Sequence, residues 1–222
     1  MNLNRERILQ RLRAAAHVDS PPDLPAYHDA TIFSNHPSQE DLLERFGTKL
    51  CALKGEFFRA RDVRAAAIQT KTLLSSFAND APRVCLRQSH AVIDQMLAQD
   101  PWLQTQTAPL ADDFSNTAFA QYEAGLTVAD FLIARTGSIV LNAASAGGRR
   151  LSVLPPLHIV IASAAQVVAS LEDALARVDK ARASYMTIIT GPSRTSDIEK
   201  ILVLGAHGPK RLAVIVIDKH GL

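Results

Sequence analysis

The chain has few cysteines and few aromatic residues. Cys51 and Cys85 are its only two cysteines among 222 residues, and aromatic residues make up 5% of the sequence. An iron–sulfur cluster usually takes four cysteine ligands, and so does a zinc site built from thiolates alone. We therefore expect a protein that binds no iron and is stable without metal. Cys85 lies inside a predicted strand, which favours a packed thiol over a nucleophile.

Long apolar runs and a strong excess of one charge are also missing. The sequence has no stretch of about 18 apolar residues, the length that a membrane-spanning helix needs. The formal net charge of +2 is too small to indicate a nucleic-acid partner. Residues 1–16 carry four arginines but no continuous apolar core, so they do not resemble a secretory signal. We expect a cytoplasmic protein with reduced thiols, no nucleic-acid partner and no membrane span.

What the sequence does contain is an alternation of helix and strand patterns. Apolar periodicity and capping residues predict helices over residues 4–16, 38–53, 62–77, 90–99, 171–178 and 196–204. Short β-branched and apolar runs predict strands over residues 56–60, 83–87, 130–134, 138–141, 157–162, 186–190 and 212–218. Residues 102–117 follow neither pattern and are predicted to be irregular. The alternation over residues 157–218 predicts an α/β fold, with parallel strand pairs covered on both faces.

The organisation of the chain is predicted to change near residue 55. Residues 17–37 hold four of the 11 prolines and no apolar periodicity, which is typical of an extended connector. We expect residues 1–55 to form an N-terminal helical extension with a connector. Residues 56–222 are expected to form the α/β domain. Within it, the strands at 157–162, 186–190 and 212–218 and the hairpin at 130–141 are expected to share one sheet.

A polar turn with features of an anion site follows the strand predicted at 186–190. Gly191 and Pro192 end the β-branched run, and Ser196 and Glu199 have the spacing of a capping box. Free N–H groups at a helix start favour an anion, and Arg194 adds a forked, permanently charged donor. The alternative is an ordinary strand–turn–helix with solvated side chains, and the spacing leaves both interpretations open.

Two other loops carry glycines and basic residues that suit the same site. They contribute Gly147, Gly148 and Arg149 from one loop and His207 from the other. Ligands in open α/β sheets bind outside the carboxyl ends of strands, so we expect these loops to meet the 193–195 turn there. The predicted ligand-binding residues are Gly147, Gly148, Arg149, Ser193, Arg194 and Thr195. Neither a dinucleotide-binding nor a Walker pattern fits these loops.

Glu123 and His207 are the candidate catalytic residues, although each also has a possible role outside catalysis. Glu123 precedes a glycine turn, where it serves either as an acid–base group or as a solvated carboxylate. His207 lies between small residues, where it is either a base or a structural histidine bonded to a carbonyl. His158 precedes an apolar strand and is predicted to be a core histidine. Asp130 begins a strand and needs a partner if it is buried.

Five stretches of the chain together have a specific pattern, and they occur in the order 123–130, 136–138, 154–159, 189–199 and 204–209. The Gly-Pro-Ser-Arg-Thr run from Gly191 and the Gly-x-His-Gly-Pro run from Gly205 are the most distinctive. With them the sequence resembles the lactate-utilisation protein C family, which belongs to the LUD-domain proteins. The family commonly has an acidic residue where Arg135 stands here, so no acidic role carries over to that position. Ser138 keeps a hydroxyl where the family has threonine.

The resemblance implies a three-layer α/β/α fold over residues 56–222, similar to ribose-5-phosphate isomerase, glucosamine-6-phosphate deaminase and CoA transferases. It also implies a role in oxidising L-lactate to pyruvate beside partner subunits that carry iron–sulfur clusters. On this basis the chain is expected to be an accessory or substrate-handling subunit that binds a small anionic ligand. Two alternatives stay open: an independent enzyme of the CoA-transferase or sugar-phosphate isomerase type, and a ligand-binding regulatory protein. The resemblance identifies no cofactor.

Overall fold

The computed structural model describes residues 3–15, 37–76, 84–110, 119, 121–142, 149–178, 185–195, 203–204 and 208–218. The chain divides into two units, residues 1–36 and 37–222. The first unit contains helix α1 (Leu3–Ala15), as the sequence predicts. The domain boundary predicted at residue 55 stays a prediction. In the described part of the chain, every helix is too short or too polar to cross a bilayer.

Among the described residues of the second unit, six further α-helices have defined bounds, and side-chain caps fix the start of most of them. They are α2 (Gln39–Ala52), α3 (Val63–Ser75), α4 (Ala91–Ala98), α5 (Pro101–Gln106), α6 (Arg150–Val153) and α7 (Leu171–Arg177). The capping boxes that begin α2 at Ser38 and α7 at Ser170 are both formed. The structure therefore confirms both predicted helix starts.

The prediction of an irregular segment over 102–117 is wrong for its first eight residues. Asp100 caps α5, because its Oδ1 accepts a hydrogen bond from Trp102 N at 2.8 Å. Pro101 occupies the first helical position, where its missing N–H costs nothing. The helix leads directly into a strand, Thr107–Pro109. Asp100 and Pro101 carry the capping signal in the sequence. The helix that they begin, Pro101–Gln106, is too short to show an apolar period.

Six strands form one all-parallel sheet. They are β1 (Glu56–Ala60), β2 (Cys85–Arg87), β3 (Thr107–Pro109), β4 (Ala124–Val128), β7 (Leu157–Ser163) and β12 (Arg211–Ile217), in the order β1-β12-β7-β4-β2-β3. Side chains from α3, α4 and α5 pack on one face, where they share a core with Leu126, Ile159 and Ile215. On the opposite face, Phe46 of α2 packs edge-on against Phe57 of β1. Helices thus flank a parallel sheet, which confirms the predicted α/β fold class.

A second sheet has four strands, in the order β8-β5-β6-β9: β5 (Phe131–Ile133), β6 (Ser138–Asn142), β8 (Val167–Val168) and β9 (Met186–Ile189). β5 and β6 form the predicted hairpin, and Gly137 supplies the positive φ of its turn. The expectation that this hairpin shares a sheet with β7 and β12 is wrong. The chain changes sheet between adjacent residues, because Ala129 N bonds Ile161 O in the large sheet and Asp130 N bonds Val140 O in the small one.

A two-stranded antiparallel ladder joins β10 (Arg194–Thr195) to β11 (Val203–Leu204). The helix predicted over 196–204 is therefore wrong at its last two residues. Cross-strand pairing overrides local helix signals there, since Val203 is also a good strand former. The capping box of Ser196 and Glu199 lies outside the described residues and stays a prediction.

Candidate functional site

Three hydroxyl side chains form a continuous row at one end of the four-stranded sheet. Ser138 Oγ lies 2.7 Å from Thr136 Oγ1 and 2.8 Å from Thr190 Oγ1. Antiparallel pairing of β6 with β9, in which Ile139 is opposite Ile189, brings these residues together. Ser138 is buried, whereas Thr136 and Thr190 are exposed, so the row opens to solvent. We call Thr136, Ser138 and Thr190 the hydroxyl row. Its groups are able both to donate and to accept hydrogen bonds.

Glycines with positive φ adjoin the hydroxyl row on both strands. Gly137 has a φ of 69° and Gly191 a φ of 85°, values that side-chain-bearing residues rarely adopt. A Cβ on Gly137 would lie 2.7 Å from Leu50 N, and one on Gly191 would lie 3.1 Å from Leu53 Cβ. Both turns therefore pack against the last turn of α2, which holds the hydroxyl row in place.

Arg194 folds back over the turn that carries Thr190. Its Nη2 lies 3.0 Å from the position that a Cβ on Gly191 would occupy. The side chain is exposed, and within the described ranges no carboxylate forms an ion pair with it. Arg194 therefore brings a permanent cation close to Gly191, the residue that follows Thr190 of the hydroxyl row.

The structure brings Ser193 into contact with the loop that precedes β12. Ser193 N donates to Pro209 O at 3.0 Å, and a Cβ on Gly208 would lie 3.2 Å from Ser193 Cβ. The 193–194 turn thus meets the loop that precedes β12, as expected. Thr195 pairs with Val203 in the β10–β11 ladder. Gly147, Gly148 and His207 lie outside the described residues, so their part in the site stays a prediction.

Arg149 lies at the other end of α6 from this meeting point. Its guanidinium carbon is 5.5 Å from the centre of the Tyr185 ring, a cation–π contact. Val153, the last residue of α6, has its carbonyl 3.9 Å from the position of a Cβ on Gly208. The helix therefore separates Arg149 from Ser193, and the described structure does not place the Arg149 guanidinium beside the hydroxyl row.

The loops were expected to meet at the carboxyl ends of the strands, and the structure agrees with this for only one of them. Thr190 to Arg194 follow the carboxyl end of β9, as predicted. The Gly208 loop and α6, however, precede β12 and β7 at the amino ends of the parallel sheet, where Lys210 N donates to Pro156 O at 2.8 Å. In open parallel sheets, ligands bind at the carboxyl ends of the strands. That rule does not hold here, because the 190–194 turn follows a strand of the four-stranded sheet, whereas the Gly208 loop and α6 precede strands of the six-stranded sheet.

Glu123 lies at the same amino edge and holds strands together through its backbone. Its N donates to Val84 O at 2.9 Å, and its carbonyl accepts from Leu157 N at 3.0 Å. The side chain is exposed. This backbone role explains the position of Glu123 next to β4, and its catalytic role stays a prediction.

Two titratable groups singled out in the sequence are buried inside the fold. His158 Nε2 lies 2.9 Å from Thr127 Oγ1 across β7 and β4, and burial lowers the pKa of His158 to about 3. Burial raises the pKa of the Cys85 thiol to about 12. A neutral core histidine and an unreactive packed thiol are the roles that the sequence predicts for them.

Asp130 finds its partner at the carboxyl end of β4. Its Oδ2 accepts a hydrogen bond from Asn142 N at 2.6 Å. Burial raises the pKa of this carboxyl above its ordinary value, although the bond from Asn142 and the nearby His90 act in the opposite direction. Asp130 therefore anchors the link between β4 and β5 to β6 of the small sheet, at the point where the chain passes from one sheet to the other.

The hydroxyl row itself was not predicted, although the sequence carries a signal for it. Thr136-Gly137 and Thr190-Gly191 are two Thr-Gly pairs, and each adjoins a predicted strand end. Both glycines adopt positive φ. Recognising them as one site requires the pairing of β6 with β9, which no local pattern specifies.

Comparison with known proteins identifies the family. A family model described as the LUD domain matches residues 43–217. The chain belongs to the LUD domain family. A lactate utilization protein C from Deinococcus radiodurans is 35% identical to this LUD domain protein over 122 residues, which are 53% of this chain and 58% of that protein. A protein of the same name from Geobacillus sp. is 35% identical over 103 residues, which are 44% of this chain and 43% of that protein.

The match thus spans about half the length of these curated relatives. The crystal structure of a DUF162 family protein from Deinococcus radiodurans superposes on the LUD domain protein with a TM-score of 0.56 and 22% identity. It covers 82% of this chain and 99% of that one. This likeness shows a shared fold.

Proposed function

We propose that this LUD domain protein acts in lactate utilisation as a substrate-handling subunit that binds a small organic anion beside Arg194. The names of its relatives support the lactate role. The observation that supports the binding site is the contact of Ser138 with Thr190 at 2.8 Å, together with the approach of Arg194 Nη2 to Gly191, the residue after Thr190. Two stretches of the chain join at this contact, since Ser138 and Thr190 are 52 residues apart in the sequence.

The chemistry of the site suits a 2-hydroxy or 2-keto acid. A guanidinium binds a carboxylate through two parallel N–H donors, and such charge-assisted bonds are stronger than neutral ones. L-Lactate carries a hydroxyl on the carbon next to its carboxylate, and pyruvate carries a carbonyl there. Thr190 and Thr136 supply exposed hydroxyls for that second oxygen. One cation with neutral donors favours a monoanion over a doubly charged ligand.

Oxidation of L-lactate to pyruvate releases two electrons and two protons, and these electrons need an acceptor. The two cysteines of this chain are fewer than the four that a cluster usually takes, and Cys85 is buried. We therefore assign the electron acceptor to partner subunits that carry iron–sulfur clusters. Co-purification of this chain with such subunits, and lactate-dependent dye reduction only in their presence, tests this assignment.

Removing Arg194 is expected to weaken anion binding without unfolding the protein. Arg194→Ala loses a charge-assisted contact of about 1.5–3 kcal/mol, which corresponds to a loss of affinity of roughly ten- to a hundred-fold. Thr190→Val removes one hydroxyl and is expected to lower the affinity by a smaller factor than Arg194→Ala does. Titration calorimetry with L-lactate, pyruvate and inorganic phosphate measures the affinities, and thermal unfolding measures stability.

Arg64→Ala is the matched control, since Arg64 is an exposed arginine on α3 and lies outside the proposed site. It should leave both affinity and melting temperature unchanged. If Arg194→Ala unfolds the protein while the folded fraction binds anions as before, Arg194 is structural and the proposal fails. Tighter binding of phosphate than of either carboxylate would instead favour an enzyme that acts on phosphorylated substrates.

A further inference from the structure

A cavity of about 420 Å³ opens at the β3 edge of the six-stranded sheet. Its walls come from β2, β3, α4 and α5, and they include Arg87, Asp94, Leu97, Ala98, Thr107 and Pro109. No residue of the hydroxyl row lines it. Its volume falls within the range of about 300–1,000 Å³ that is typical of small-molecule sites.

Strand register places Arg87 of β2 and Thr107 of β3 on the same face of the six-stranded sheet. β2 and β3 pair in parallel, with Cys85 opposite Thr107 and Arg87 opposite Pro109. Side chains alternate between faces along a strand, so Arg87 lies on the face of Cys85 and Thr107. That face is also the one on which α4 and α5 pack. Arg87 and Thr107 therefore line the cavity from its floor.

Both residues present a buried polar atom that lacks a partner. Within the part of the chain that the structure describes, Arg87 Nε and Thr107 Oγ1 are buried without a hydrogen bond. Thr107 is 4% exposed. Arg87 Nη1 is already engaged, 3.0 Å from Asp94 Oδ1, whereas Nε of the same guanidinium has no partner among the described residues. Unpaired buried donors cost free energy, and an acceptor oxygen in the cavity would satisfy them.

The charges and walls of the cavity restrict the ligand class. Asp94 offsets the charge of Arg87, so a doubly charged group such as phosphate would face repulsion from the Asp94 carboxylate. Leu97, Ala98 and Pro109 supply apolar surface beside the polar floor. Gln104 Nε2 is bound to Leu97 O at 3.0 Å, which fixes this wall between α4 and α5. A monoanion with an apolar chain fits both features.

We propose that this cavity binds a small organic monocarboxylate with an apolar chain, and that it is separate from the Arg194 site. One carboxylate oxygen accepts from Arg87 Nε and the other from Thr107 Oγ1. The apolar chain of the ligand lies along Leu97, Ala98 and Pro109. Because the cavity exceeds the needs of a three-carbon acid, it suits acids of about six carbons, as a site for an effector or for a second substrate.

Hexanoate is the probe that tests the proposal, and Trp102 reports its binding. Trp102 is the only tryptophan of the chain and lies on α5, two residues before Gln104. Hexanoate should change its fluorescence in a saturable way, whereas hexanol, which lacks the anion, should bind at least tenfold more weakly. Equal binding of hexanol would overturn the assignment of Arg87 and Thr107 to a carboxylate.

Three substitutions in the cavity have distinct expected results. Thr107→Val keeps the shape but removes the hydroxyl, so hexanoate affinity should fall about tenfold while the melting temperature stays the same or rises. Arg87→Lys keeps the charge beside Asp94 but loses the Nε donor, and it should also weaken binding. Asp94→Asn removes the opposing charge and should strengthen binding several-fold.

Two controls keep the test specific. Thr70 is a buried threonine of α3 whose Oγ1 already donates to Ala66 O at 2.8 Å, so Thr70→Val should lower stability and leave hexanoate affinity unchanged. Arg194→Ala should also leave hexanoate affinity unchanged, which separates this site from the proposed lactate site. The proposal is overturned if hexanoate does not bind the wild-type protein at millimolar concentration, or if Thr107→Val binds it equally well.

Discussion

Gly125→Ala is expected to lower the free energy of unfolding by about 3 kcal/mol or more, the largest loss from a single methyl group that we predict here. A Cβ at this position would lie 2.2 Å from the carbonyl oxygen of Leu151 in α6 and 3.2 Å from Pro155 Cγ. The first of these atoms belongs to the backbone. Since β4 is held between β2 and β7, relief requires α6 to move away from the sheet. Urea unfolding followed by circular dichroism measures the loss.

Gly47→Ala is the matched control for this prediction. Its new Cβ would lie 2.6 Å from Phe57 Cδ1, which is a side-chain atom and is therefore able to move. Gly47 also lies within α2, where alanine is intrinsically favoured over glycine by about 1 kcal/mol. The loss should be clearly smaller than for Gly125→Ala. Equal losses would show that backbone contact with α6 is not what makes Gly125 necessary.

Acidification is expected to destabilise the protein through His158 well before most carboxylates are protonated. The pKa of His158 is about 3 in the folded state, against an ordinary value of 6.5. Between these values the unfolded chain takes up a proton that the folded protein does not, so stability is full above pH 6.5 and falls as the pH decreases. The slope approaches about 1.4 kcal/mol per pH unit, or about 2–3 kcal/mol between pH 6.5 and 4.5.

The variant His158→Gln isolates this effect, because glutamine does not titrate and its amide is still able to bond Thr127. Urea unfolding at pH 7.5, 6.5, 5.5 and 4.5 should give a much flatter profile for the variant, together with a lower stability at pH 7.5 from altered packing. His90→Asn is the control, since His90 is the N-cap of α4 and asparagine also caps helices. It should retain the wild-type slope. A slope that persists in His158→Gln would assign the proton uptake to another group.

Much of the fold follows from local signals in the sequence. Ser38 with Asp41 and Ser170 with Asp173 mark helix starts through bonds within one turn, which sequence spacing alone specifies. Gly137 marks the hairpin because its turn demands positive φ. The buried strands near 157–163 and 211–217 are likewise evident as apolar runs. Each of these features depends on residues that are close in the sequence.

The pairing of distant strands was not predictable in the same way. Nothing local to Ala129 and Asp130 indicates that one bonds the large sheet and the other the small sheet. For the same reason the contact of Ser138 with Thr190 was not predicted, although the sequence singles out Ser193 and Arg194 as candidate site residues. Arg87 and Thr107 gave no sequence signal, because their significance depends on buried atoms left unpaired by the packing of α4 and α5.

The position of β12 in the large sheet has a consequence for biosynthesis. β12 lies between β1 and β7, and Glu56 is paired with Ala213. As the ribosome proceeds along the chain, β1 and β7 emerge long before the strand that joins them, so their facing edges stay unpaired. Such high contact order slows folding and exposes aggregation-prone strands. We therefore expect a nascent chain that stalls before residue 211 to expose open edges on both β1 and β7, and to be bound by chaperones until translation resumes.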